Sequence, residues 1–282
     1  MENTHRTVLA ASIFVAICCV VPACGQSRDS SAVARLIRGI QGGTVMVVDL
    51  THTLAKDSPY WPEGTPGTPF HTSVAATYGK DGYFARNISM PEHFGTHMDA
   101  PLHFDPSGES VDQIPVQKFL APGVVIDVSS AAKSDADYRV TVQDIESWIK
   151  VYGAIPSGAV VFFRTGWAAR WPSQKRYMNA DDKGVLHFPG LSLEAARYLL
   201  GHAHPVGIGI DTGSIDYGPS AHFPVHHLTL SAGLYHLENV ANLDKLPATG
   251  VVVIALPLKL GGGSGAPARV VALVPTPSEM HH

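Results

Sequence analysis

Val124-Val-Ile-Asp-Val128, then Val142-Gln-Asp-Ile-Glu-Ser-Trp-Ile-Lys-Val151, then Ala159-Val-Val-Phe-Phe163 read in order as strand, helix and strand. The outer two are short apolar runs rich in β-branched and aromatic residues, while the middle one has helical spacing with Thr141 placed to cap it. A helix between two strands returns the second parallel to the first. Working outward, Val45 to Leu50, Val206 to Ile210, Val251 to Leu256 and Val270 to Leu273 predict further buried strands, and Leu191 to Leu200 a second helix behind Ser192. The alternation predicts an α/β fold, a single domain with a substantially parallel or mixed sheet. The Gly- and Pro-rich segments Ser58 to Pro69 and Gly261 to Pro267 should frame a pocket.

At 282 residues, 45% hydrophobic and 16% charged, the chain has the composition of a folded globular domain. A formal net charge of -4 gives no reason to expect nucleic acid or an anionic membrane surface as a partner. The three cysteines, Cys18, Cys19 and Cys24, all lie near the N-terminus and leave the domain without a disulfide framework. They accompany an apolar run from Val8 to Val21, preceded by His5 and Arg6 and followed by small residues, which reads as a signal peptide over 1–24. Val21-Pro-Ala-Cys24 resembles a lipoprotein cleavage box, with Cys24 as the lipidated residue. The expected location is therefore exported, either periplasmic or membrane-anchored through Cys24. The run is shorter than the roughly 20 apolar residues of a membrane span. Residues 25–42 are expected to be a linker and 43–282 the catalytic domain.

Histidine carries the chemistry. In His93-Phe-Gly-Thr-His97-Met-Asp99-Ala-Pro-Leu-His103-Phe the polar residues are all odd-numbered, so extended backbone would project them from one face. Gly95 and Pro101 oppose a helix there. Two imidazoles and a carboxylate suit zinc, manganese or iron(II), and three protein ligands leave positions open for water. His103, beyond the turn expected at Pro101, is a candidate proton carrier. A second group runs from Asp211-Thr-Gly-Ser-Ile-Asp216 to His226-His227 and Glu238, a plausible second ligand pair. The other histidines, including His52, His71, His187, His202, His204 and His236, are read as structural or solvated.

The first segment resembles the signature of the cyclase-like metal hydrolases, which include bacterial kynurenine formamidases and isatin hydrolases. The resemblance extends through Val48-Asp-Leu50, Pro59-Tyr-Trp-Pro62, Arg164-Thr-Gly-Trp167, Gly209-Ile-Asp-Thr212, Leu256-Pro-Leu-Lys259 and Arg269. It implies a compact swivelling β/α/β fold, usually dimeric or tetrameric. It also implies metal ligands His93, His97 and Asp99, general acid or base His103, and a second metal held by His226 and Glu238 with Asp99 bridging. His226 is preferred over His227 for its spacing to Glu238. Asp216-Tyr-Gly-Pro-Ser220, Leu237-Glu-Asn-Val-Ala-Asn-Leu243 and the Gly261 loop are similar to the isatin hydrolase branch. That branch is associated with manganese and the two-metal formamidases with zinc, so the resemblance implies one or two ions of manganese or zinc, and a small aromatic substrate held by Tyr60 and Trp61.

The function expected is hydrolysis of an amide or lactam C–N bond by metal-activated water. The rivals are an arylformamidase and, from another class, a metal-dependent binding lipoprotein without turnover. No Gly-x-Ser-x-Gly elbow, His-Glu-x-x-His helix or phosphate-cradling Gly-Lys-Ser/Thr loop competes.

Overall fold

A computed structural model describes residues 31–62 and 69–276. The stretch 1–24 read as a signal peptide, with its cysteines, and the end of the chain lie outside the described residues. In chain order, α1 (Ala32–Gly42) leads into β1 (Val45–Asp49). The hairpin β2 (His71–Ala76) and β3 (Ala85–Ser89) follows, with the short α2 (Tyr78–Asp81) at its tip, and then β4 (His97–Asp99). Next come β5 (Leu120–Asp127), α3 (Ser129–Ser134), β6 (Arg139–Val140), α4 (Val142–Tyr152), β7 (Val160–Arg164) and α5 (Gln174–Met178). The last elements are β8 (Gly190–Leu191), α6 (Leu193–His202), β9 (Gly207–Ile210), α7 (Pro224–Ser231), β10 (Tyr235–Glu238), β11 (Val251–Pro257) and β12 (Gly265–Pro275).

The large sheet has the order β1-β12-β11-β5-β7-β9-β10-β4, and a further pairing of β4 with β12 closes it into a seven-stranded barrel with β1 attached outside. One half is parallel, β5-β7-β9-β10, and the other antiparallel, through β11, β12 and β4. In β5, β7 and β9 the parallel half is apolar on both faces, for a simple reason. Val125 and Phe162 point into the barrel core with Met98, Leu237 and Val253. Their neighbours Val124, Ile126, Val161 and Phe163 point outward against Ile145, Trp148 and Leu199 of the covering helices. Thr141 caps α4 as expected, accepting from the Asp144 amide at 3.2 Å while the Asp144 carboxylate accepts from the Thr141 amide at 2.8 Å. Trp148 fastens that helix to the sheet by donating its indole N–H to the Val125 carbonyl at 2.9 Å.

The α/β single-domain reading holds, and three local expectations need correction. α1 lies within the stretch 25–42 expected to be a linker, and none of its side chains is buried. β1, expected to be buried, is an edge strand with Met46 and Val47 exposed, because only β12 pairs with it. Residues 265–267, read as loop, begin β12. The extended run through the first histidine group is confined to His97–Asp99; His93 arrives from an irregular bend and His103 from the helical turn Pro101–His103. The shared parity of the four residues therefore explains only two of them.

Candidate metal centre

β4 and β10 are antiparallel neighbours in which His236 faces Asp99 and Glu238 faces His97. Their even and odd partners separate cleanly: Met98 and Leu237 fill the barrel core, while His97, Asp99, His236 and Glu238 stand on the outer face. Over that face α7 lays His226, and the bend before β4 brings in His93. Among the described residues two groups able to hold a cation result: His93, His97 and Asp99; and Asp99, His226, His236 and Glu238. His226, not His227, is the buried member of its pair. His236, read from sequence as structural, is wholly buried inside the second group. Its spacing of two from Glu238 was the available signal, obscured because Tyr235–Glu238 is too short and too polar to announce itself as a strand.

The hydrogen bonds fix which nitrogen of each ring is bare. His97 donates Nδ1–H to the Gly95 carbonyl at 2.9 Å, and His226 donates Nδ1–H to the Asp216 carboxylate at 2.8 Å. Ser264 gives its only hydroxyl proton to Glu92 at 2.8 Å, so it accepts from His93 Nε2–H at 2.9 Å. Thr229 gives its proton to the Val225 carbonyl at 2.7 Å, so it accepts from His236 Nε2–H, also at 2.7 Å. The remaining four nitrogens carry lone pairs and converge on two carboxylates. His93 Nδ1 and His97 Nε2 lie 2.7 and 3.1 Å from Asp99 Oδ1. His226 Nε2 lies 3.2 Å from Glu238 Oε1 and 3.6 Å from Asp99 Oδ2. His236 Nδ1 is 3.4 Å from Asp99 Oδ2, and neither atom has a hydrogen-bond partner.

Lone pairs facing carboxylate oxygens in a dry site repel unless protons or cations lie between them. The donor set and the outward-facing partners of every ring fit a divalent metal, and carboxylate–histidine–metal chains of the Asp216–His226 kind are its usual second layer. Without a cation, protons take its place. Burial opposes charge on His97, but the Asp99 carboxylate and its hydrogen bond prevail, raising the ring to about 9. Burial likewise opposes ionisation of Asp99, and the adjoining rings hold its carboxyl well below the ordinary value. His226 is raised against its burial by Asp216, Asp99 and Glu238. Burial lowers His236. His103 is the exception on the near side: it stacks on His93 with centroids 3.9 Å apart and belongs to neither ligand group. Burial lowers it to about 4, leaving it neutral at ordinary pH.

Two glycines make the close approach possible. Gly95 has φ +67°, which turns its carbonyl toward both His97 and the Asn239 side chain. A Cβ on Gly265 would sit 2.5 Å from His93 Cε1. Asp211 and Asp216, five residues apart, serve differently. Asp211 accepts from the amides of Thr165 and Gly166 and the Thr165 hydroxyl, binding β9 to the loop after β7, and burial raises its pKa. Asp216 orients His226, a role sequence spacing could not have indicated.

Above the centre lies a cavity of about 380 Å³ lined by His93, His97, His103, His226 and Glu238 together with Tyr60, Trp61, Phe94, Phe104, Met178 and Phe223. Tyr60 and Trp61 thus line the same cavity as the histidines. Trp61 is braced edge-on by Phe188 at 6.2 Å, and the Gln174 side-chain amide bonds both backbone groups of Tyr60.

Comparison with known proteins finds relatives along most of the chain. The model of the Cyclase family matches residues 48–217. An isatin hydrolase of Roseibium aggregatum is 37% identical over 262 residues, covering 87% of this chain and 98% of its own. A kynurenine formamidase of Salinibacter ruber is 28% identical, covering 80% of this chain and 96% of its own. The solved isatin hydrolase A from Labrenzia aggregata, bound to benzyl benzoate, superposes with a TM-score of 0.81 at 41% identity, over 87% of this chain and all of that one. An isatin hydrolase bound to the product analogue thioisatinate gives the same TM-score at 35% identity, over 88% of this chain and 99% of its own. With a family match over more than half its length and relatives spanning nearly all of its described residues, the chain belongs to the cyclase family of metal-dependent hydrolases.

Proposed function

We propose that this chain hydrolyses the amide bond of a small aromatic lactam of the isatin type, using water activated at His93, His97 and Asp99. The observation that carries the reading is the set of ring lone pairs converging on Asp99 and Glu238 at the floor of an aromatic-lined cavity. The similarity to isatin hydrolases supports the substrate class. Manganese is the preferred ion and zinc the alternative; the imidazole and carboxylate donors accommodate either.

A divalent cation, when bound, acidifies water toward neutral pH and polarises a carbonyl. The residues do the rest. The aromatic walls formed by Tyr60, Trp61 and Phe223 hold a flat ring and exclude water. His103, neutral and stacked beside His93, takes the proton released when water adds to the lactam carbon. It returns that proton to the ring nitrogen as the C–N bond breaks, leaving an amine and a carboxylic acid on one opened product, and the acid then ionises to a carboxylate by losing its proton to solvent. The hydrogen bond from His226 to Asp216 keeps the His226 ring fixed at the cavity edge during both transfers.

Cleavage of an aryl formamide is the second reading, supported by the kynurenine formamidase relatives. Protein stripped with a chelator and reloaded with manganese or zinc, then assayed against isatin, related lactams and an aryl formamide, separates the two. Failure to turn over any of them after reloading rejects both. Export with lipidation at Cys24 remains part of the proposal, tested by locating the full-length protein and weighing its N-terminal peptide. Self-association, as a homodimer or homotetramer, is supported by Val74, Tyr78, Phe84 and Ile88 exposed around the β2–β3 hairpin. Sedimentation tests it.

A further inference from the structure

Asp99 Oδ2 is the hinge of the inference. It is fully buried and has no hydrogen-bond partner, and the bare Nδ1 of His236, likewise unpartnered, points at it from 3.4 Å. Two acceptors do not meet in a dry interior without something shared between them. The Thr229 hydroxyl excludes the simplest escape of swapping the His236 tautomer. Its own proton is committed to the Val225 carbonyl, so the proton on Nε2 is needed where it is. The backbone excludes another escape, since His236 and Asp99 are directly paired residues of β10 and β4 and cannot drift apart. His226 Nε2 and Glu238 Oε1 complete the surroundings at 3.2 Å from each other, with His226 Nε2 at 3.6 Å from Asp99 Oδ2. Ligand atoms sharing a small divalent ion with bonds of about 2.0–2.2 Å lie roughly 3–3.6 Å apart.

We propose that His236 is a direct ligand, through Nδ1, of a second divalent cation shared with Asp99, His226 and Glu238, and that the Thr229–Val225 hydrogen-bond chain sets the tautomer that makes it one. The inference rests on the proposed metal centre and adds to it a residue that neither the first histidine group nor the His226–Glu238 pair contains. The site has two imidazoles and two carboxylates, all buried; His226 and Glu238 reach the cavity wall as His93 and His97 do, while His236 and Asp99 do not line it. Four protein donors hold an ion firmly, whereas the three donors His93, His97 and Asp99 leave positions for water and substrate.

The test compares the wild type with H236Q, whose amide can still reach Thr229 but offers nothing at the position of Nδ1. H236N, whose side-chain oxygen falls near that position, and T229V, which leaves His236 without its partner, complete the set. Each is stripped, titrated with Mn²⁺ against a fluorescent chelator, and examined by electron paramagnetic resonance. The wild type should bind two ions per chain with the coupled spectrum of neighbouring manganese. H236Q should keep one ion and lose the second by about 10- to 100-fold in affinity or more, with the spectrum of an isolated ion, since even outer partners are worth that much. T229V should fall between them, and H236N should recover part of the loss. Circular dichroism of the stripped proteins checks that each variant folds, and H236N carries the comparison if H236Q does not. Two ions retained in H236Q with wild-type affinity, or a wild type that binds one ion unaffected by H236Q, overturns the proposal while leaving the first site standing. A wild type that binds no divalent ion rejects the metal centre itself.

Discussion

The two oxygens of Asp99 face two differently built halves of the centre. On the Oδ1 side, His93 and His97 come from the same seven residues as Asp99 itself, and their outward nitrogens rest on a backbone carbonyl and a serine. On the Oδ2 side, His226 and His236 come from α7 and β10, and they rest on a buried carboxylate and a threonine. Both halves reach the cavity, but the near half is local in sequence, and the far half exists only because β10 pairs with β4 in the closed barrel. A short motif can thus specify the reacting face of a metal site while the fold supplies its support from sequence-distant elements.

Asp99 joins the halves, so its loss should have the largest effect. Asp99→Asn should empty both sites, costing more than about 100-fold in metal affinity and abolishing turnover, as read by elemental analysis and assay. A variant that retains metal and activity would break the comparison at its root. His103→Ala should lower kcat by about 10²–10⁴-fold with metal content unchanged. That result assigns proton transfer to the near half, and unaltered kcat removes His103 from the mechanism.

Proton competition should appear first at His97. In the metal-free protein its ring is raised to about 9. Above that pH the ring is already neutral; below it a proton must leave before the metal enters. Affinity should therefore fall as pH drops from about 9 toward 7, by roughly tenfold per unit for one displaced proton. Calorimetry in buffers of different ionisation enthalpy counts the protons released, and a flat profile contradicts the assignment. Asp216→Asn and Ser264→Ala then compare the supports of the two halves. The buried carboxylate behind His226 should be worth about 10- to 100-fold in metal affinity, and the hydroxyl behind His93 the lower end of that range. Equal losses would mean that the two supports are equivalent. Thr141→Ala is the control outside both halves. It should lower stability by about 1 kcal/mol in denaturant melts through loss of the α4 cap and leave kcat and metal content untouched.

The elements legible in the sequence were those whose signal is local. β5, β7 and β9 announce themselves as apolar runs because parallel strands are buried on both faces, and β11 and β12 do so because apolar residues occupy even the exposed positions Val252 and Leu256. α4 and α6 announce themselves through apolar spacing and the caps Thr141 and Ser192. β4 and β10 do not, because strands of three and four residues that carry ligands on one face are as polar as loops. His236 was lost for that reason. The hairpin β2–β3 was lost because its exposed residues follow no alternation a core would impose.

Residue chemistry within a dozen positions was sufficient to indicate that a metal-binding stretch sits in an α/β domain, since ligand type and spacing there do not depend on the rest of the chain. The lone pair each ring presents, the choice of His226 over His227, the part of Asp216 and the place of His236 were decided only when the barrel closed. Tautomer and reach depend on hydrogen-bond partners that folding alone brings within about 3 Å.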